Sequence, residues 1–272
     1  VKEALNQTVK GQTIKEIELR YEPMIKNMSA DEFKEKLINQ TIQEVSRRGK
    51  YLVFHFDDYQ LLSHLRMEGK YFYVDSNFEL NSHVHVIFTL ENGKRLLYQD
   101  TRKFGTYHLY DKAIDLETTA PFQVLGLEPF ATEFTPSYVK EKIQNKKKPI
   151  KSLLLDQTIV CGLGNIYVDE VLYRARLHPL TSSSELTDKD IENVVKYTVE
   201  VLARAIELGG TTIRTFSSSH GVSGTFQNEL LVHQRKGENC YECHTPIEKI
   251  KVGGRGTYFC PTCQKLTVKE MK

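Results

Sequence analysis

Four of the five cysteines in this 272-residue chain fall within its last thirty-three positions, as Cys240-Tyr-Glu-Cys243, sixteen residues, then Cys260-Pro-Thr-Cys263. Two CxxC knuckles at this separation offer four thiolates, the ligand type and number of a closed, tetrahedral structural zinc site. A catalytic zinc would keep one position for water, and four sulfurs leave none. The stretch between the knuckles is too short to bury a core, so metal binding has to supply most of its folding free energy. The competing reading is a pair of disulfides in a secreted module. The remainder of the chain has no cysteine pairs and its start does not read as a signal peptide, so a reducing, cytoplasmic setting is expected.

With 40% apolar residues, the chain has material for two domains and a small appendage. No apolar run approaches membrane-spanning length, and no membrane partner is expected. The net charge of +2 says little about partners, but its distribution says more. Arg47, Arg48 and Lys50 cluster, as do Lys146, Lys147, Lys148 and Lys151, and again Arg235, Lys236, Lys249, Lys251 and Arg255. Such clusters can together form a face for a polyanion, or each can be an ordinary solvated surface. Some basic residues near the cysteines also balance the roughly two negative charges of a zinc tetrathiolate.

Residues 1–11 read as the back half of a helix: Val1, Leu5 and Val9 lie at helical spacing and Gly11 stands where a C-cap glycine belongs. No N-cap residue precedes them, so further residues upstream of Val1 are expected. Residues 13–20, 50–56, 60–68, 70–74, 83–90, 94–98 and 106–110 carry strand patterns, with a hairpin turn at Glu91-Asn-Gly93. A capping box, Ser29 with Glu32, opens one helix over 31–39. From about Pro121 the period becomes helical, over 136–145, 151–157, 165–175 and 188–208. Thr187 and Asp190 cap the last helix and Gly209-Gly210 ends it. The Ser/Thr/Gly-rich stretch 211–230 reads as a mobile functional loop, or else as inert surface. The expected architecture is an α+β multidomain protein: an N-terminal antiparallel β-sandwich (1–112), a helical domain (121–216), a linker (217–230) and a zinc ribbon (231–265).

Three stretches can carry chemistry. Gly162-Leu-Gly164-Asn165 joins two helices through a tight turn; Asn165 can cap the second helix, whose first amides suit a phosphate. The glycines also serve helix packing, and only beside Lys146 and Lys151 does the turn read as a backbone clamp. Cys161 reads as a small buried filler. His64-Leu-Arg-Met67-Glu-Gly ends a strand in a turn, where methionine is either core or a wedge between base pairs. Arg102 and Phe104, in Gln99-Asp-Thr-Arg-Lys-Phe-Gly, pair a guanidinium with an aromatic, a combination suited to the gap left by an extruded base.

Together with Arg47-Arg-Gly-Lys50, Lys151-Ser-Leu-Leu-Leu-Asp156, His178-Pro179, Gly209-Gly-Thr-Thr-Ile-Arg and Gln227-Asn-Glu-Leu, these motifs resemble the formamidopyrimidine-DNA glycosylase family over essentially the whole chain. The resemblance implies a β-sandwich and a helix–two-turn–helix domain clamping damaged double-stranded DNA, in a monomeric base-excision enzyme for oxidised purines. It implies that Met67, Arg102 and Phe104 fill the gap left by the flipped base. His64, His83, Lys146, Lys151 and Asn165 would be further DNA contacts, and residues 211–225 a flap over the extruded base. Lys50 would donate a proton in β-elimination, and Arg255, at the tip of the ribbon hairpin, would bind phosphate and assist the second elimination. His233 stands where the family usually has tyrosine, a difference not expected to decide the chemistry.

The larger departure is at the front. The family's Pro-Glu-Leu-Pro-Glu-Val-Glu, whose proline amine attacks the sugar C1′ to form a Schiff base, is absent. Val1 aligns some eight residues further on, a displacement of about 12 Å along a helix. The chain as written is therefore expected to carry the reading apparatus without the nucleophile. The alternatives are a non-catalytic lesion- or abasic-site-binding protein, a related glycosylase for oxidised pyrimidines of the endonuclease VIII type, and an RNA- or ribosome-binding zinc-ribbon protein. The last explains the ribbon and leaves the motifs of the β domain unused.

Overall fold

The computed structural model describes residues 1–210 and 224–266. They form two compact units, one built on Val1–Gln123 and the other on residues 124–210 and 224–266.

The first unit is a sandwich of two four-stranded antiparallel sheets. Its strands are β1 (Ile14–Leu19), β2 (Glu44–Arg48), β3 (Tyr51–His55), β4 (Tyr59–His64), β5 (Lys70–Val74), β6 (Val84–Leu90), β7 (Arg95–Gln99) and β8 (Thr106–Asp111). One sheet runs β1-β6-β7-β5, the other β2-β3-β4-β8. Period-two alternation turns Val86, Phe88, Leu96 and Tyr98 of the first sheet, and Val45, Leu52, Phe54, Leu61 and Leu109 of the second, into one core. Two helices close it: α1 (Lys2–Val9) supplies Leu5 and Val9, and α2 (Ala30–Leu37) supplies Phe33 and Leu37. Phe33 has no exposed surface and stacks on Tyr107 at 5.9 Å between ring centroids.

The strand pattern missed β2, because Glu-Val-Ser-Arg-Arg has a single apolar side chain and is ordered by its pairing with β3. The capping box of α2 is half formed. Ser29 Oγ accepts from Glu32 N at 3.2 Å, but the Glu32 carboxylate turns to Lys36 at 3.1 Å, one helical turn on. Gly11, at φ +80°, takes the left-handed turn that follows α1, where a Cβ would be strained.

The second unit is helical: α3 (Pro136–Ile143), α4 (Ile150–Leu154), α5 (Asn165–Arg174) and α6 (Asp188–Glu207). Val168, Val171 and Leu172 of α5 and Val194, Val201 and Ala205 of α6 share its core. Thr187 and Asp190 form the expected capping box, and Gly209 and Gly210, both at positive φ, end α6. A two-stranded hairpin, β9 (Glu248–Val252) and β10 (Arg255–Phe259), turns through Gly253-Gly254 and forms the ribbon. Of the stretch expected as a flap, residues 211–223 lie outside the described residues.

Phe33→Ala removes a side chain with no exposed surface from the sandwich core and is expected to cost about 3–5 kcal/mol. Urea denaturation followed by tyrosine fluorescence measures it; a loss under about 1 kcal/mol would mean that the site collapses freely.

Candidate functional site

In the first unit, Met67 lies between β4 and β5, and Arg102 and Phe104 lie between β7 and β8. Met67 is 66% exposed and Phe104 51%, which removes the reading of Met67 as core. Arg102 bridges the other two: its Nη1 stands 3.3 Å from Met67 Sδ, and its guanidinium carbon lies 4.6 Å from the Phe104 ring centroid. An apolar tip, a planar cation and an aromatic face are thus presented together, and stacking on Arg102 stiffens the phenyl ring.

Two buried groups hold the trio. Asp100 is almost wholly buried. One of its oxygens accepts from Arg102 N at 3.0 Å, the other from Phe104 N and Gly105 N, both at 2.9 Å. Hydrogen bonds to an ionised carboxylate are among the strong ones, and here they dictate the path of the loop. The Tyr98 hydroxyl sits behind both loops: a Cβ at Gly69 or at Gly105 would overlap it. Glu68 accepts a hydrogen bond from Thr101, tying one loop to the other. The sequence motif contained Asp100, but its inward role depends on three backbone amides that no pattern reveals.

His64, at the end of β4, packs edge-on against Tyr51 at 4.5 Å. Its Nδ1 accepts from Arg66 N at 2.9 Å, so in the neutral ring the proton sits on Nε2, which is left as a donor. Burial, then the nearby charges of Arg66 and Lys50, lower its pKa to about 4. Lys50 is exposed in the turn between β2 and β3. His83, exposed ahead of β6, accepts from Asp100 N on its carbonyl at 2.9 Å and so adjoins the loop of the trio.

In the second unit Lys146 is exposed between α3 and α4. Three expectations need correction. Asn165 does not cap α5: it is the first residue of the helix, behind Gly164, and no side chain caps that end. Its amide instead donates to Gly256 O at 2.9 Å, and its Oδ1 is buried without a partner. Lys151 is not at the surface. It is fully buried, with Nζ 2.7 Å from Asp169 and 3.3 Å from Gly256 O. Burial lowers its pKa, Asp169 opposes that shift, and the charge of Arg255 adds to it. Arg255 is exposed as the first residue of β10, beside the hairpin turn. Arg235, read as part of a basic surface cluster, is also a structural group. It is largely buried against Tyr241, and its guanidinium bonds Glu238, Leu231 O and Asn239 O.

Asp169 is the residue the sequence reading missed. Besides Lys151, it accepts from the His233 ring at 2.7 Å and from Tyr258 N at 3.2 Å. Next to it, Glu170 has no exposed surface and accepts from the backbone amides of Leu231, Val232 and His233 at 2.9–3.0 Å. Burial pushes the Glu170 carboxyl up, and these three amides pull it back. His233 is therefore a buried link in this network rather than a passive replacement. The signal available in the sequence was two adjacent acids inside the apolar run Ile166-Tyr-Val-Asp-Glu-Val-Leu172.

The sulfurs of Cys240, Cys243, Cys260 and Cys263 all lie within 4.8 Å of one another. A zinc tetrathiolate with bonds of about 2.3 Å has sulfur–sulfur edges of about 3.8 Å, so the four residues fit the ion. Gln264 locks the second knuckle in place, accepting from Cys260 N and donating to Leu177 O at 2.8 Å. The zinc is structural, and it sets the fold of β9 and β10.

Comparison with known proteins gives one answer along the chain. The Formamidopyrimidine-DNA glycosylase N-terminal domain matches residues 1–107, the Formamidopyrimidine-DNA glycosylase H2TH domain residues 125–217, and the zinc finger found in FPG and IleRS residues 237–266. Formamidopyrimidine-DNA glycosylases of Bacillus licheniformis and Exiguobacterium sibiricum are 46% and 47% identical, over 97% and 98% of this chain and 96% and 97% of theirs. Among solved structures, a Lactococcus lactis FPG variant in complex with Fapy-dG-containing DNA superposes with a TM-score of 0.91 at 41% identity, covering 97% of each chain. The Lactococcus lactis Fpg in complex with abasic-site DNA gives the same values.

Two measurements test this geometry. Because the folded pKa of His64 is depressed, its contribution to stability is complete above about pH 6.5 and is lost as pH falls towards 4. An NMR titration should find its ring still neutral at pH 5.5; a midpoint near 6.5 would contradict the burial. Chelation of zinc, or Cys240→Ser, should unfold β9–β10 while α3–α6 stay helical, and should weaken binding to a lesion duplex by at least about tenfold. Unchanged binding after chelation would remove the ribbon from the DNA interface.

Proposed function

This chain belongs to the formamidopyrimidine-DNA glycosylase family, and from that premise we propose that it reads damaged double-stranded DNA as a monomer in the bacterial cytoplasm. On this reading it excises oxidised purines, 8-oxoguanine and formamidopyrimidines, from a flipped-out position. The observation that carries the proposal is the contact of Arg102 with both Met67 and Phe104 at an exposed surface. A wedge of this kind has no use in a folded core. In a duplex it compensates the unstacking that extrusion of a base costs.

The remaining residues take roles that follow from their chemistry. His64 stays neutral through the working pH range, so its Nε2–H can donate to a phosphate or sugar oxygen without adding charge. Asn165 stands at an uncapped helix N-terminus, where free amides favour a phosphate. His83 and Lys146 add exposed contacts. Lys151 acts from beneath this surface, paired with Asp169, in place of the direct phosphate contact that the resemblance implied. Lys50 is the proposed proton donor for β-elimination, and Arg255 binds a phosphate and assists the second elimination. Schiff-base formation at C1′ would fall to an amino-terminal proline. The zinc, when bound, supplies no chemistry beyond holding Arg255 on its hairpin.

A second reading, a non-catalytic binder of lesions or abasic sites, makes use of the same trio. Borohydride trapping on a duplex with 8-oxoguanine opposite cytosine, with binding followed in parallel, separates the two. A polypeptide starting at Val1 is expected to bind without a covalent adduct, and one preceded by Pro-Glu-Leu-Pro-Glu-Val-Glu to be trapped. Trapping of the former would make Val1 or a lysine such as Lys50 the attacking amine; failure of both to be trapped would favour the binder. Binding should weaken steeply with salt, because several phosphate contacts release counterions. A flat salt response would contradict the interface.

A further inference from the structure

Cys240 and Cys260 are the two fully buried members of the zinc site, and Cys243 and Cys263 are partly exposed. The sulfurs of the buried pair are matched in backbone environment: Cys240 takes bonds from the amides of Glu242 and Cys243, Cys260 from those of Thr262 and Cys263. Cys240 has a further neighbour. The hydroxyl of Tyr173, in the last turn of α5, lies 3.1 Å from Cys240 Sγ in a buried contact. A zinc-bound cysteine is a thiolate with no proton to give, so the phenol must be the donor.

We propose that Tyr173 is a positioning residue of the zinc site, whose O–H donates to the Cys240 thiolate and slows the departure of the ion. Four thiolates on one divalent ion leave a net charge of about −2, carried on the sulfurs. A hydrogen bond from a buried donor withdraws part of that charge, and no water competes for it. Arg176, one turn on, lies over the Tyr173 ring at 5.5 Å and pairs with Glu242, which sits between the two cysteines of the first knuckle. Tyr173 in the last turn of α5 and Arg176 two residues past its end thus hold this knuckle, one at a ligand sulfur and one beside it.

The test is zinc release from the intact protein into excess chelator, followed with a metallochromic dye. Tyr173→Phe keeps the ring and removes only the hydroxyl, so it leaves no cavity. It should release zinc about tenfold faster, the lower end of the effect of outer-sphere partners on metal sites. Arg176→Ala, which keeps the hydroxyl, should stay close to the parent rate. Release from Tyr173→Phe at the parent rate overturns the proposal. So does an equal acceleration in both variants, which would assign the effect to packing of the knuckle on the helix. If Tyr173→Phe does not fold, alkylation of the parent protein gives an independent answer. Cys240 should be modified more slowly than the equally buried Cys260, and the opposite order overturns the assignment.

Discussion

Asp169 and Glu170, side by side in α5, hold the second unit together. A carboxylate in a dry interior costs several kcal/mol unless its lone pairs are filled. Here Lys151, the His233 ring, Tyr258 N and three consecutive amides of the 231–233 segment fill them. These partners come from three separate segments: α4, the connection into the ribbon, and β10. Two acids thus fix the bearing of the ribbon on the helix whose first turn carries Asn165. The zinc then has a local task, closing the knuckles, while the acids decide where the closed ribbon points.

Much of this could be read from residue order, and the failures have a common cause. The zinc ligands, the strands of the sandwich and the capping box of α6 follow from spacing and local propensity, which a linear sequence displays. The place of Met67, Arg102 and Phe104 on two loops between strands followed from the strand pattern. Asn165 and Lys151 were misplaced because their partners, Gly256 and Asp169, lie 91 and 18 residues away and exist only after folding. A basic residue in a basic cluster reads as surface until the buried acid facing it is known. Arg235 misled in the same way, with three carbonyl or carboxylate partners that no local pattern contains. β2 was missed because its order comes from its neighbour.

In the first unit the same logic works with a different anchor. Asp100 shapes the loop of Arg102 and Phe104 from within, and the Tyr98 hydroxyl fills the space behind it and behind the loop of Met67. Glycine at 69 and 105 is a requirement of volume: neither position has room for a methyl group while Tyr98 keeps its place.

That shared hydroxyl makes the two loops one thermodynamic object. Energies of substitutions add only when the sites have no partner in common. Arg102 touches both Met67 and Phe104, and the loops that carry the three rest on the same phenol. A change at any of the three is therefore felt by the other two. Alanine scanning of the trio would count one cooperative free energy several times over, and the sum of the single losses would exceed the loss on removing all three together.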